Sequence, residues 1–242
     1  MRNPVIDPSL LAINADVSLI HTEGLTASLH GQFDEAHTAF ADAHGALASV
    51  PPTIDSAVQL GRIVRDEGFT YVREALVTED AVLLDMADNE TKKSFSIVDR
   101  ADKAGKIGDL SFAAPGETEG KQREINAEQA ATLGVLGRIA TARMVLTGAD
   151  TETASYEESH AFAVRGSNGY YRVSNSVNAA RHERIGGRPG HVLRWLGRAA
   201  SGLAWTATKD RANLRQAVLT TGDRVLHLRS KKAAIASVRK RP

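Results

Sequence analysis

Apolar residues recur every three or four positions along almost the whole chain, a spacing that favours helix over any other regular structure. Leu10, Ile13, Val17 and Ile20 fall on one such stripe, and Ala36, Ala39, Phe40, Ala43 and Leu47 on another. A longer stripe runs through Ala130, Leu133, Leu136, Ala140 and Met144. Alanine reinforces the pattern. The chain has 37 alanines against 12 aromatic residues, and alanine both favours helix and lets helices approach closely. Strand-like alternation is nearly absent; the best case, Arg224-Val225-Leu226-His227-Leu228, fits a helix equally well. The expected fold class is all-α.

Proline, glycine and capping residues set the expected boundaries. Asp7 followed by Pro8 starts a first helix, and Gly31-Gln32-Phe33 ends it. Asp34 opens a second helix, which Pro51-Pro52 terminates, and Thr53 caps a third carrying Ile54, Ala57, Val58, Gly61 and Val64. Further helices are expected over 70–88 and 91–104. Residues 105–122, with Gly105, Gly108, Pro115, Gly116 and Gly120, read as a long loop. Helices then follow over 124–147, closed by Gly148, and over 151–165, 169–185, 190–208 and 211–240, the last broken at Gly222. The loop separates a block over 1–104 from a block over 123–242. Short connections elsewhere favour antiparallel neighbours, so one continuous stack of helical hairpins is expected, with a compact helical bundle as the alternative.

One segment is more specific. Gly24 sits in a first helix, Gly31 and Phe33 at a turn, and Ala36, Phe40 and Ala43 in a second helix. On these positions residues 20–52 resemble a tetratricopeptide repeat, with the terminal proline, Pro51, arriving slightly late. Leu60-Gly61-Arg62, Leu136-Gly137-Arg138 and Leu196-Gly197-Arg198 echo one another inside predicted helices, and Gly68-Phe69 is expected at the turn after the first. The echoes lie 76 and 60 residues apart, not multiples of the repeat's roughly 34-residue period. The resemblance implies a solenoid whose first helices line a groove, where Asn, Arg and Lys hold a peptide's backbone or terminal carboxylate.

Several chemistries lack their residues. The chain has no cysteine, so a thiol nucleophile, a Cys-bound zinc and a disulfide framework are excluded. The phosphate-loop, dinucleotide-binding, nucleophile-elbow and His-Glu-x-x-His patterns are absent from the sequence. His30, His37 and His44 are spaced by seven, but a turn separates the first, and two helical turns put the others about 10 Å apart. Glu157, Glu158 and His160 form an acid–imidazole cluster that reads as a solvated helix face. The expectation is therefore a non-enzymatic protein with no cofactor and no metal. No apolar run is long enough to span a membrane, and Met1-Arg2-Asn3-Pro4 lacks the apolar core of a secretory signal. A cytoplasmic address is expected.

Binding is the remaining class. Arg172, Asn175 and Asn178 share a stripe beside Val173 and Val177. Asn disfavours helix, so two in one helix need a role, either in the groove the resemblance implies or as cross-links to neighbouring helices. Arg62, Arg65 and Arg138 are the candidate charge contacts for an acidic peptide, unless local carboxylates neutralise them. Charge is also divided along the chain, with a net −10 over 1–150 and +11 over 151–242. The basic third ends in Arg229, Lys231, Lys232, Arg239 and Lys240. Those residues suit a nucleic-acid phosphate backbone. Alternatively, the basic half docks on the acidic half, within one chain or between two copies. The expected function is thus a scaffold or interaction protein holding a polypeptide segment, with nucleic-acid binding as the second reading.

Overall fold

The computed structural model describes residues 8–107, 118–151 and 153–239. Ten α-helices and no strand occur among them: α1 (Pro8–Leu29), α2 (Phe33–Leu47), α3 (Ile54–Thr78), α4 (Leu83–Ile107), α5 (Thr118–Thr147), α6 (Ala154–Arg165), α7 (Gly169–Ile185), α8 (Pro189–Lys209), α9 (Arg211–Leu226) and α10 (Lys231–Arg239). A single turn of 3₁₀ helix, His227–Arg229, joins the last two. The all-α expectation holds, and so does the hairpin arrangement. The most extensive contacts pair α1 with α2, α3 with α4, α5 with α6 and α7 with α8.

Local chemistry sets several starts. Thr53 and Ser56 form a reciprocal capping box at α3: Ser56 N donates to Thr53 Oγ1 at 3.1 Å and Thr53 N to Ser56 Oγ at 2.9 Å. Asn168 caps α7, its Oδ1 accepting from Tyr171 N at 2.9 Å. Expected Asp7 capping lies outside the described residues.

Three boundaries differ from those read in the sequence. The expected turn at Gly68-Phe69 is absent, because α3 runs unbroken to Thr78 and the chain turns at Glu79, whose φ is 57°. Gly68 is instead a contact point. A Cβ there would lie 2.6 Å from Thr91 Oγ1 and 3.1 Å from Ala87 O on α4. The expected loop over 105–122 is partly helical: α4 continues to Ile107 and α5 begins at Thr118, leaving 108–117 outside the described residues. The last break falls at 227–230 rather than at Gly222, which sits inside α9 with open space around it.

The echoed Leu-Gly-Arg glycines do not share one role. A Cβ on Gly61 would meet Val98 at 2.4 Å and one on Gly137 would meet Tyr156 at 2.5 Å, so both let a hairpin close. Nothing lies within 4 Å of Gly197. Beyond the hairpins, α1 touches α3, α3 touches α5, α5 touches α7 and α7 touches α9. The odd-numbered helices therefore form one layer. The short α10 returns across it and contacts α3, α5 and α7. Its Ala234 and Val238 join the buried cluster of Val72, Ala75, Val135, Ile139 and Ile185.

Candidate functional site

Helical spacing on α3 places Phe69, Val72, Arg73 and Leu76 on one face, at i, i+3, i+4 and i+7. That face meets Arg138 and Thr141 of α5, Tyr156 of α6, Tyr170 and Arg181 of α7, Arg224 of α9 and Val238 of α10 around a cavity of about 320 Å³. Four arginines line this space, and none of the described residues lining it is acidic.

Each guanidinium is held differently. Arg73 is 6% exposed, and its Nε is buried without a hydrogen-bond partner. Arg138 lies over the Phe69 ring, 4.7 Å from its centroid. Arg181 Nη2 donates to Asn178 Oδ1 at 2.7 Å and Nη1 to Ser237 Oγ of α10 at 3.4 Å. Arg224 Nη1 donates to the same Asn178 oxygen at 3.0 Å. Burial, then the positive charges of Arg138 and Arg181, push the Arg224 pKa down to about 9. Burial alone lowers that of Arg73. Both shifts have burial as their first cause, and at Arg224 the neighbouring positive charges add to it.

A second, more open cavity of about 540 Å³ lies among α1, α3, α5 and α7, and it behaves differently. Arg65 Nη1 donates to Glu128 Oε1 at 2.5 Å and its Nε to Asp66 Oδ1 at 2.9 Å, while His21 reaches Asp66 at 3.0 Å. Arg62 contacts Glu124 at 3.4 Å and Glu128 at 3.3 Å. Burial opposes both charges, yet the pair outweighs it: the Arg65 pKa is raised and the Asp66 pKa lowered. Arg62 and Arg65 therefore sit on the odd-numbered layer as neutralised charges, unlike Arg138.

The remaining sequence-predicted residues are dispersed. Arg172 stacks on Trp205 at 3.8 Å and donates to the carbonyls of Ala163 and Val164 at 3.4 and 3.0 Å, tying α7 to the end of α6 and to α8. Asn175 is buried, its Nδ2 donating to Ala130 O at 3.2 Å and Ser159 Oγ at 2.5 Å. It cross-links α5, α6 and α7 rather than facing a groove. Asn178 is buried too, but it organises two of the cavity arginines. The basic end is spread out: Lys231 and Lys232 are exposed, Arg239 pairs with Glu79 at 3.5 Å, and the Arg229 carbonyl accepts from Arg184. Lys240 lies outside the described residues. Arg198, third of the echoed arginines, pairs with Glu157, which also binds Arg194 at 2.8 Å. The Glu157–Glu158–His160 cluster is thus partly spent on a surface ion network. No group of three His, Asp or Glu among the described residues is arranged to hold a metal ion.

Sequence reasoning did not select Arg73, Tyr170, Arg181 or Arg224 for a site. One signal existed, the intrusion of Arg73 into an apolar stripe. No protein-family model matches the chain, and comparison with curated proteins and with solved structures returns no match. No helix among the described residues is long and apolar enough to cross a membrane.

Proposed function

We propose that this is a cytoplasmic, non-enzymatic binding protein whose odd-numbered helical layer receives a polypeptide segment. One observation carries the reading. The layer already supports a short helix, the chain's own α10, which lies across α3, α5 and α7 and buries Ala234, Ser237 and Val238 there. A surface that holds nine residues of helix through small apolar contacts suits the apolar face of another amphipathic helix. Arg138, beside Arg73, supplies charge for an acidic neighbour, and Arg62 and Arg65 lie on the same layer. The resemblance of residues 20–52 to a tetratricopeptide repeat points the same way.

The second reading is nucleic-acid binding through the basic third. The exposed Lys231 and Lys232 favour it. Against it stand the charges committed elsewhere: Arg188 to Glu183 and Asp150, Arg194 and Arg198 to Glu157, and Arg239 to Glu79. The Arg239–Glu79 pair also joins the basic and acidic regions within one chain, which favours docking in cis over an oligomer built on charge.

Capture from lysate tests the two readings together, using the full chain and a Val238→Glu variant that loosens α10. A polypeptide that survives nuclease, and that the variant retains in larger amount, supports the proposal. Capture abolished by nuclease moves the function to the basic third.

A further inference from the structure

We propose that this chain binds a second copy of itself head to tail, the outer face of α9 in one copy seated in the groove between α1 and α2 of the next. The contact uses the two ends of the helical stack, so it goes beyond the polypeptide reading and does not depend on it.

The two ends carry opposite charge. The sequences of α1 and α2 hold the acids Asp16, Glu23, Asp34, Glu35 and Asp42 and no Lys or Arg. Those of α8 and α9 hold Arg194, Arg198, Lys209, Arg211, Arg215 and Arg224 against one acid, Asp223. Part of this basic charge is committed within the chain: Arg194 and Arg198 bind Glu157, and Arg224 binds Asn178. Lys209, Arg211 and Arg215 are exposed around the turn from α8 to α9. The Arg239–Glu79 pair joins the basic and acidic regions at the α3–α4 turn, inside one chain. It touches neither end of the stack, whose charges sit on other helices.

Shape and polarity match as well. Ile20 and Glu23 of α1 and Asp34, Glu35, Ala39 and Asp42 of α2 line a groove of about 460 Å³. Ile20 and Ala39 are half-buried and the four acids are exposed, so an apolar floor runs between acidic rims. On α9, Arg211, Arg215, Val218 and Leu219 fall at i, i+4, i+7 and i+8, on one exposed face. Val218 is 51% and Leu219 63% exposed. A helix laid into the groove buries those two side chains on the floor, while its guanidiniums reach the carboxylates on the rims. End units of a helical stack ordinarily turn a polar face to water. Here each end exposes leucine, Leu219 on α9 and, one turn before Glu23, Leu19, which is 60% exposed. Apolar surface thus supplies contact, and charge decides which end meets which. Because two different surfaces meet, the contact is heterologous, and a pair of copies still offers one groove and one α9 to further copies.

Sedimentation velocity on the full chain, from micromolar to submillimolar protein, tests the proposal. The mean mass of the wild type should rise to at least twice that of a single chain and fall back in high salt. Glu23→Lys with Glu35→Lys reverses the groove, and Leu219→Glu puts an acid on α9. Each variant should melt as the wild type does and remain a single chain. Mixed in equal amounts they should form a one-to-one complex and stop there, because the native α9 of the first meets the native groove of the second. Arg215→Glu takes the place of Leu219→Glu should that variant fold poorly. A wild type that stays a single chain at every concentration would overturn the contact. So would either variant associating alone as the wild type does, or a mixture that stays as single chains. Binding of poly-glutamate through α9 by a wild type that does not self-associate would assign that face to an acidic polypeptide and overturn the self-contact.

Discussion

Arg181 and Arg224, on α7 and α9, donate to one and the same oxygen, Asn178 Oδ1, at 2.7 and 3.0 Å. The Nδ2 of that asparagine is buried and has no partner. A neutral side chain thus accepts from two like charges at the edge of a cavity whose described lining residues include four arginines and no acid.

Asn178→Asp is the sharpest probe of that arrangement. The substitution replaces an unpartnered NH₂ by oxygen, so it breaks no bond, and it places a carboxylate between two guanidiniums. Stability should rise by about 1 kcal/mol or more, read as a higher urea midpoint at unchanged slope. Asn178→Leu should instead lower it by about 1–3 kcal/mol, because both donors lose their acceptor. A carboxylate at 178 that destabilises as much as leucine would mean the charge at this wall is already balanced.

Hairpin closure predicts opposite outcomes for chemically identical substitutions. Gly61→Ala and Gly68→Ala push a methyl to 2.4 Å from Val98 and 2.6 Å from Thr91, and each should cost about 1–3 kcal/mol by overpacking. Gly197→Ala and Gly222→Ala place the same methyl in open space within helices and should gain about 0.5–1 kcal/mol from helix propensity. Chemical denaturation of the four variants separates the two classes. Uniform gains would show that α3 and α4 pack less closely than these distances require.

Two histidines should give opposite pH dependences. Burial opposes charge on His37, but the carboxylates of Glu67, 3.8 Å from Nδ1, and Glu74, hydrogen-bonded to Nε2 at 3.2 Å, outweigh it and raise its pKa above 6.5. Its stabilising contribution is complete below the unfolded value near 6.5 and is lost as pH rises through the folded value. His182, buried and hydrogen-bonded to Thr141 and to Thr151 O, has a lowered pKa. Its contribution is present above 6.5 and is lost as pH falls towards the folded value. His37→Gln should therefore cost more stability at pH 6 than at pH 8. A series of denaturation curves between pH 5 and 8.5 reads the difference directly, and a larger cost at pH 8 would contradict the assignment.

If the basic end served nucleic acid, neutralising Lys231, Lys232 and Arg239 would lower the salt slope of binding by about one unit for each phosphate left without its cation. The polypeptide proposal expects no nucleic-acid affinity at physiological salt for those substitutions to weaken. Filter binding of a labelled duplex over a range of salt concentrations decides the matter, and a slope that falls with each neutralised residue would favour the second reading.

Periodicity made the helices legible, and capping chemistry located the start at Thr53; the Asn168 cap of α7 appeared only in the structure. The glycines were harder. Gly68 and Gly222 read as breaks because glycine serves both turns and close approaches, and only the partner across the interface, Thr91 for one and nothing for the other, distinguishes the uses. The binding residues show the same ambiguity. Asn175 was open to two readings, and the structure places it as a cross-link. The cavity itself was not legible. Its arginines come from α3, α5, α7 and α9, and each alone resembles a long side chain covering an apolar face. Their convergence exists only once the odd-numbered helices are stacked.

Whether α10 is an occupant of the layer or a strut within it is answered most directly by amide hydrogen exchange on the full chain and on Val238→Glu. An occupant exchanges over 231–239 at least about tenfold faster than the buried stretch of α5 over 130–142, and its loosening leaves α3, α5 and α7 protected. Exchange of α10 in step with α5, or loss of protection across those three helices in the variant, would make α10 part of the core and contradict a polypeptide-receiving layer.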